Sequence, residues 1–225
     1  MRYLLNIFVI IVAFGFLIKI TAAEVQGIQA EWKMFTEKDG IQVYKGVVKG
    51  CPVVAFKGIA VIDAPLVKVM TVLCDVERKT EWVHYLAETR IIKEFSSQKR
   101  IEYHRTVPPW PVAQREFIFL AEAVPSDDKN TITINLCPAE DSVVPRTKSI
   151  VRGELKYGKY VLKSIENGQK TYLTVEILAD PKGLIPKWLV NSIQKKWPVN
   201  TINGIRRELK SPFFRIDPIV KTIFE

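Results

Sequence analysis

Apolar residues recur along this chain with two different periods. Through the middle they alternate with polar ones: Ile132, Ile134 and Leu136 interleave with Thr131, Thr133 and Asn135, the two-residue period of a strand with one buried face. Comparable runs span Ile41 to Val48, Val53 to Ile62, Glu88 to Phe95, Lys99 to Val107 and Glu116 to Val124. Further strands are predicted over Ser149 to Leu155, Tyr157 to Ile165 and Thr171 to Leu178. Their breaks are rich in turn formers, among them Ser126-Asp127-Asp128-Lys129-Asn130 and Glu166-Asn167-Gly168. The first two strands, joined through Gly50-Cys51-Pro52, make an antiparallel hairpin.

Helical spacing appears in three places. Leu66, Val69, Met70 and Leu73 follow Asp63-Ala64-Pro65, where aspartate can cap and proline suits a first turn. Near the C-terminus, Ile185, Leu189 and Ile193 recur at four-residue steps with Trp188 beside them, and Lys187, Gln194, Lys195 and Lys196 supply a wet side. Pro186 sits at the start of this expected helix and Pro198 at its end or kink. A second apolar series follows at Ile202, Ile205 and Leu209. Glu24 to Lys38 is also predicted helical, with Trp32 and Phe35 three apart and Gly40 as its stop.

Helices at the ends of an antiparallel meander define an α+β fold. A strongly curved sheet of this size, closed by one long amphipathic helix, encloses a volume. What lies between helix and sheet is therefore the functional question.

The N-terminus changes the picture of where this happens. Arg2, the apolar run Leu4 to Ile18 and the small residues Thr21-Ala22-Ala23 match a cleaved signal peptide over residues 1–23. A run of 15 residues falls short of the roughly 20 a spanning helix needs. The chain carries a formal charge of +9, and removing residues 1–23 takes away Arg2 and Lys19 and no acid, leaving +7. The basic residues are scattered among acids, which suits solvated faces with a weak attraction to anionic membrane surfaces. An exported protein, periplasmic or secreted, has no call for nucleic acid. Cys51, Cys74 and Cys137 form no Cys-x-x-Cys pair; one disulfide is permitted by an oxidising compartment, and small buried hydrophobes are the default for all three.

Three stretches carry a family resemblance. Asp75-Val-Glu-Arg-Lys-Thr-Glu-Trp82, Glu102 through Phe117 with its Pro108-Pro109-Trp110-Pro111 turn, and Gly183-Leu-Ile-Pro-Lys-Trp-Leu-Val-Asn191 running on to Pro198 together resemble the START domain, the steroidogenic acute regulatory protein-related lipid-transfer family. The resemblance covers roughly Gln29 to Lys210, within a domain expected over 24–210 and followed by a tail, 211–225. It implies a helix-grip fold: the sheet wraps a hydrophobic tunnel, the C-terminal helix is its lid, and one lipid is bound without catalysis, cofactor or metal. A monomer in transient contact with membranes is the implied form.

The resemblance also supplies candidate ligand contacts. On the lid they are Ile185, Trp188, Leu189 and Ile193, which would equally be core in any helix-on-sheet protein. Elsewhere they are Arg78, Trp82, Glu102, Tyr103, His104 and Phe117. Arg78 matches, within one position, an arginine that phospholipid-binding members place on phosphate; the alternative is a helix-surface arginine. Glu102 matches a buried acid of the sterol carriers, whose partner arginine would fall near Ala121. With that pair missing, phospholipid is favoured over sterol. Alternation puts Glu102 and His104 on one strand face and Ile101 and Tyr103 on the other, so Glu102 is exposed if the apolar pair faces inward. Arg115 and Glu116 occupy the family's Arg-acid pair and tie a turn to a neighbouring strand. Trp110 and the loop Pro138 to Arg146 are candidates for the tunnel rim. An enzyme, cyclase or hydrolase-like, acting on an apolar molecule through Glu102 and His104 is the competing reading. No Gly-x-Ser-x-Gly, His-Glu-x-x-His or phosphate-binding glycine loop supports it.

Overall fold

The computed structural model describes residues 28–224, apart from Pro186. The expected signal peptide lies outside the described residues. Ten strands form one sheet: β1 (Ala30–Lys38), β2 (Ile41–Val48), β3 (Ala55–Ile62), β4 (Leu86–Ser96), β5 (Lys99–Thr106), β6 (Arg115–Pro125), β7 (Thr131–Pro138), β8 (Val151–Arg152), β9 (Glu154–Ile165) and β10 (Lys170–Asp180). Among the described residues five α-helices accompany them: α1 (Leu66–Cys74), α2 (Lys79–Trp82), α3 (Lys187–Gln194), α4 (Trp197–Glu208) and α5 (Pro218–Thr222). The strands lie in the order β1-β2-β3-β10-β9-β7-β6-β5-β4, antiparallel throughout, with short β8 running parallel to β6. The sheet is curved, and C-terminal helices fill its concave side. This is the α+β, helix-grip arrangement.

The core sits where α4 crosses the sheet. Ile202 and Ile205, the second apolar series, are fully buried among Ile41, Val43, Ile62 and Val175. Close approach depends on two glycines. A Cβ on Gly58 of β3 would stand 2.7 Å from the Pro198 Cβ, and one on Gly204 of α4 would stand 2.5 Å from the Trp82 carbonyl oxygen. Small residues here let α4 lie directly on β3 and on α2.

Several local expectations are corrected. The segment before Gly40 is strand β1, paired antiparallel with β2. Asp39 and Gly40 both take positive φ, 55° and 67°, the two-residue turn that matches strand twist and favours Asp-Gly. Gly40 thus makes a hairpin and does not stop a helix. Trp32 lies over Gly46, and the Lys57 ammonium stands 4.1 Å from its ring centroid. The single C-terminal helix is two. α3 ends at Gln194, the residue whose carbonyl the Pro198 ring would strike in a continuous helix, and Pro198 instead occupies the first turn of α4. Asp63 does not cap α1, whose N-cap is Pro65. The strand expected over Ser149 to Leu155 breaks at Gly153, where a Cβ would meet the Phe117 ring at 2.4 Å. All three cysteines are free.

Candidate functional site

Between the sheet and the helices runs a cavity of about 450 Å³, within the range of small-molecule sites. Strand periodicity sets its lining. The odd-numbered residues of β6, from Arg115 through Phe117 and Phe119 to Ala121, face it, as do Ile134 and Leu136 of β7 and Tyr160 of β9. α3 closes one side with Ile185, just before it, and Leu189 and Ile193. Gln194 ties the helix down by donating from Nε2 to the Ala179 carbonyl at 2.8 Å. The side chain of Trp188 lies outside the described residues. Trp82, 3% exposed, also lines the cavity, and its indole Nε1 has no hydrogen-bond partner.

One buried polar cluster interrupts the apolar wall. On β5, Arg100, Glu102 and His104 share the face toward the cavity. Glu102 is fully buried, and both its oxygens are taken. Lys79 Nζ donates to Oε2 at 2.6 Å, Arg100 Nε donates to Oε1 at 2.8 Å, and His104 Nε2 stands 2.9 Å from Oε2. Arg100 also donates to the Cys74 carbonyl at 2.8 Å, which anchors the end of α1. Burial alone would raise the Glu102 carboxyl; the Lys79 ammonium, His104 and Arg100 overcome it and hold the group well below the usual carboxylate range. Burial pushes His104 the other way, below its ordinary value, despite the neighbouring carboxylate. The ring packs edge-on to Phe119 with centroids 4.7 Å apart.

The other face of β5 is covered as well. Ile101 and Tyr103 pack with Ile118 and Val144, so the loop through Val143 and Val144 covers the outside of the sheet and is not part of the tunnel rim. Both faces of β5 are therefore buried, and the open alternative for Glu102 is settled toward the cavity. Tyr103, expected as a ligand contact, lies on the opposite face and donates its hydroxyl to Glu116 Oε2 at 2.9 Å. Glu116 is also ion-paired with Arg152 at 2.9 Å.

Arg78 is likewise displaced from the expected role. It is the N-cap of α2, its Nε donates to Glu208 at 2.8 Å, and its Nη2 donates to Ser211, so it fastens the end of α4 outside the cavity. The inward cation is its neighbour Lys79. The arginine expected to be missing near Ala121 is also present in another form. Arg100 pairs with Ala121 across β5 and β6 and supplies the cation from the adjacent strand. The sequence reading missed Arg100, although it stands two residues before Glu102 and strand alternation puts it on the same face.

A model of the START domain matches residues 17–212. The chain belongs to the START domain family. It is similar to an uncharacterized protein of Pseudomonas aeruginosa, 28% identical over 176 residues that span 78% of this chain and 85% of that protein. It is similar also to the human phosphatidylcholine transfer protein, 21% identical across 79% of this chain and 83% of that one. Among solved structures, a STAR-related lipid transfer protein fragment from Xanthomonas axonopodis superposes with a TM-score of 0.70 at 25% identity, covering 80% of this chain and 99% of the fragment. Lipid binding and transfer are thus supported at the level of the family.

Proposed function

We propose that this START domain takes up one lipid in the cavity between sheet and helices, shields its apolar part and carries it between membranes, acting as an exported monomer. The observation that carries the reading is an apolar cavity whose wall holds a buried charged cluster. Apolar walls accept acyl chains, and the cluster gives a polar part of the ligand something to meet. Arg100, opposite Ala121, supplies the cation whose absence would have spoken against a sterol. Phospholipid is favoured here on charge: Lys79 and Arg100 share the single carboxylate of Glu102, leaving the cluster net positive while His104 is neutral. The charge of +7 expected after signal removal suits anionic membrane surfaces.

Carriage is preferred to catalysis on the geometry of Glu102. A carboxylate held by two cations and well below its usual range is a poor general base, and His104 turns its Nε2 to that carboxylate. Native mass spectrometry of gently purified protein tests the proposal. One lipid mass per chain is expected, and protein that stays empty and transfers nothing after incubation with phosphatidylcholine vesicles overturns it.

Membrane contact would be made at the cavity mouth. Pro108, Pro109 and Val112, before β6, and Pro181 and Ile185, before α3, line the cavity and are taken here as its mouth. Beside them Trp110 is 93% exposed and Leu184 fully exposed, apolar side chains suited to the membrane interface. The double substitution W110A/L184A is expected to slow transfer between phosphatidylcholine vesicles roughly tenfold. A transfer rate equal to that of the unaltered protein would place membrane contact elsewhere.

A further inference from the structure

Among the described residues Arg115 differs from the other buried cations. It begins β6, is 4% exposed and lines the cavity. Lys79 and Arg100 have Glu102, and Arg152 has Glu116. Among the described residues no carboxylate is paired with Arg115. Nη1 donates to the Ala113 carbonyl and Nε has no partner. Guanidinium carries five N–H donors, so most of this one's capacity is unspent. A buried charge left in that state is costly unless something of opposite sign completes it. Burial depresses the Arg115 pKa, with no neighbouring charge to offset it.

The roof over this group is Gly183, in the loop leading to α3. Its φ of +71° is in the left-handed region, and a Cβ there would stand 3.7 Å from Arg115 Nη2 and 3.4 Å from Val151. The loop leading to α3 therefore passes close to the guanidinium, with no side chain at Gly183 to cover it. Along β6, Arg115 stands opposite Thr106 and Phe119 opposite Glu102. Four residues of strand separate the free guanidinium from the Glu102 cluster by roughly 13 Å, with Phe117 between them on the same face.

We propose that Arg115 receives the anionic group, phosphate or carboxylate, of the amphiphile held in the cavity, whose chain runs inward past Phe117 toward the Glu102 cluster. This rests on the lipid-binding reading above and adds the polarity of the ligand to it. The inner cluster has its carboxylate built in; Arg115 waits for one from the ligand. A guanidinium suits the task because its planar fork meets an oxyanion with parallel hydrogen bonds.

Titrations with oleate, oleoyl lysophosphatidate, monooleoylglycerol and inorganic phosphate test this on the purified protein. The unaltered protein is expected to bind the two anionic amphiphiles roughly 10- to 100-fold more tightly than monooleoylglycerol. In R115Q that preference should vanish, and in R115K part of it should remain. Retention of the full preference in R115Q overturns the proposal and places the anion elsewhere. So does an unaltered protein without any preference, a result that holds even if R115Q fails to fold. Inorganic phosphate binding as tightly as the amphiphiles would make this a free-anion site and overturn it too. If no amphiphile binds, neutral or anionic, the lipid-binding reading fails with it; if monooleoylglycerol binds as well as oleate, only the role of Arg115 fails.

Discussion

Replacing Glu102 with glutamine should cost this domain about 3–5 kcal/mol of unfolding free energy at pH 7, the effect of removing one partner from a buried ion pair. Glutamine is close in shape and can still accept from one donor. It cannot balance two cations. Lys79 and Arg100 would then face each other across a fully buried site without the carboxylate that each contacts at 2.6 and 2.8 Å. The loss corresponds to a fall in Tm of roughly 6–20 °C for a domain of this size. Urea unfolding followed by circular dichroism measures it. A midpoint within error of the unaltered protein would mean that water or ligand neutralises the cations as well as Glu102 does.

The same cluster fixes how stability depends on pH. The folded pKa of Glu102 lies well below the ordinary glutamate value of 4.5, so in acid the unfolded chain takes up this proton first. Its contribution is present above about pH 4.5 and is lost as pH falls toward the folded value. His104 acts in the same direction from a higher starting point. Its folded pKa is depressed from 6.5, so below that pH the unfolded state again binds the extra proton. Stability should therefore begin to fall below about pH 6.5 and steepen below 4.5. In E102Q the lower, steeper limb should be missing.

How much of this was legible in the sequence depended on which period governed each residue. Alternation is strict in β5, so Arg100, Glu102 and His104 on one face and Ile101 and Tyr103 on the other follow directly from the order of residues. What alternation does not say is that the outer face is covered too. The loop carrying Val143 and Val144 does that through contacts more than forty residues away in sequence. Arg78 and Lys79 show the opposite case. Trp82 follows them by four and three residues, and both spacings share a helix face. The choice was made by Arg78 serving as the N-cap, outside the regular turn, while Lys79 begins the helix. Likewise Pro198 announced a break near the end of the lid, but the tertiary site decided that the chain beyond it would be the central core helix: Gly58 and Gly204 let α4 lie against β3 and α2.

Ending the chain at Lys210 should destabilise the domain by about as much as the single substitution V220D. The segment after Lys210 looks in sequence like an appendage, yet Val220 is 3% and Ile223 9% exposed, both within the core cluster of α4 and the sheet. α5 packs on α1. The Asp217 side chain caps it by accepting from the Ile219 amide at 2.7 Å, and the Asp217 amide donates to Thr71 Oγ1 on α1 at 3.4 Å. Burial of the two side chains is worth roughly 3–6 kcal/mol, reduced by the entropy of ordering a short helix, so a net loss of about 2–4 kcal/mol is expected. V220D would not leave a carboxylate in the core, because undocking α5 costs less than burying an unpaired charge. Both changes therefore measure one quantity, the docking free energy of the last turn. Denaturant titrations that show V220D far more damaging than the truncation would mean the segment cannot release. A truncated chain as stable as the whole would mean that α1 repacks without it.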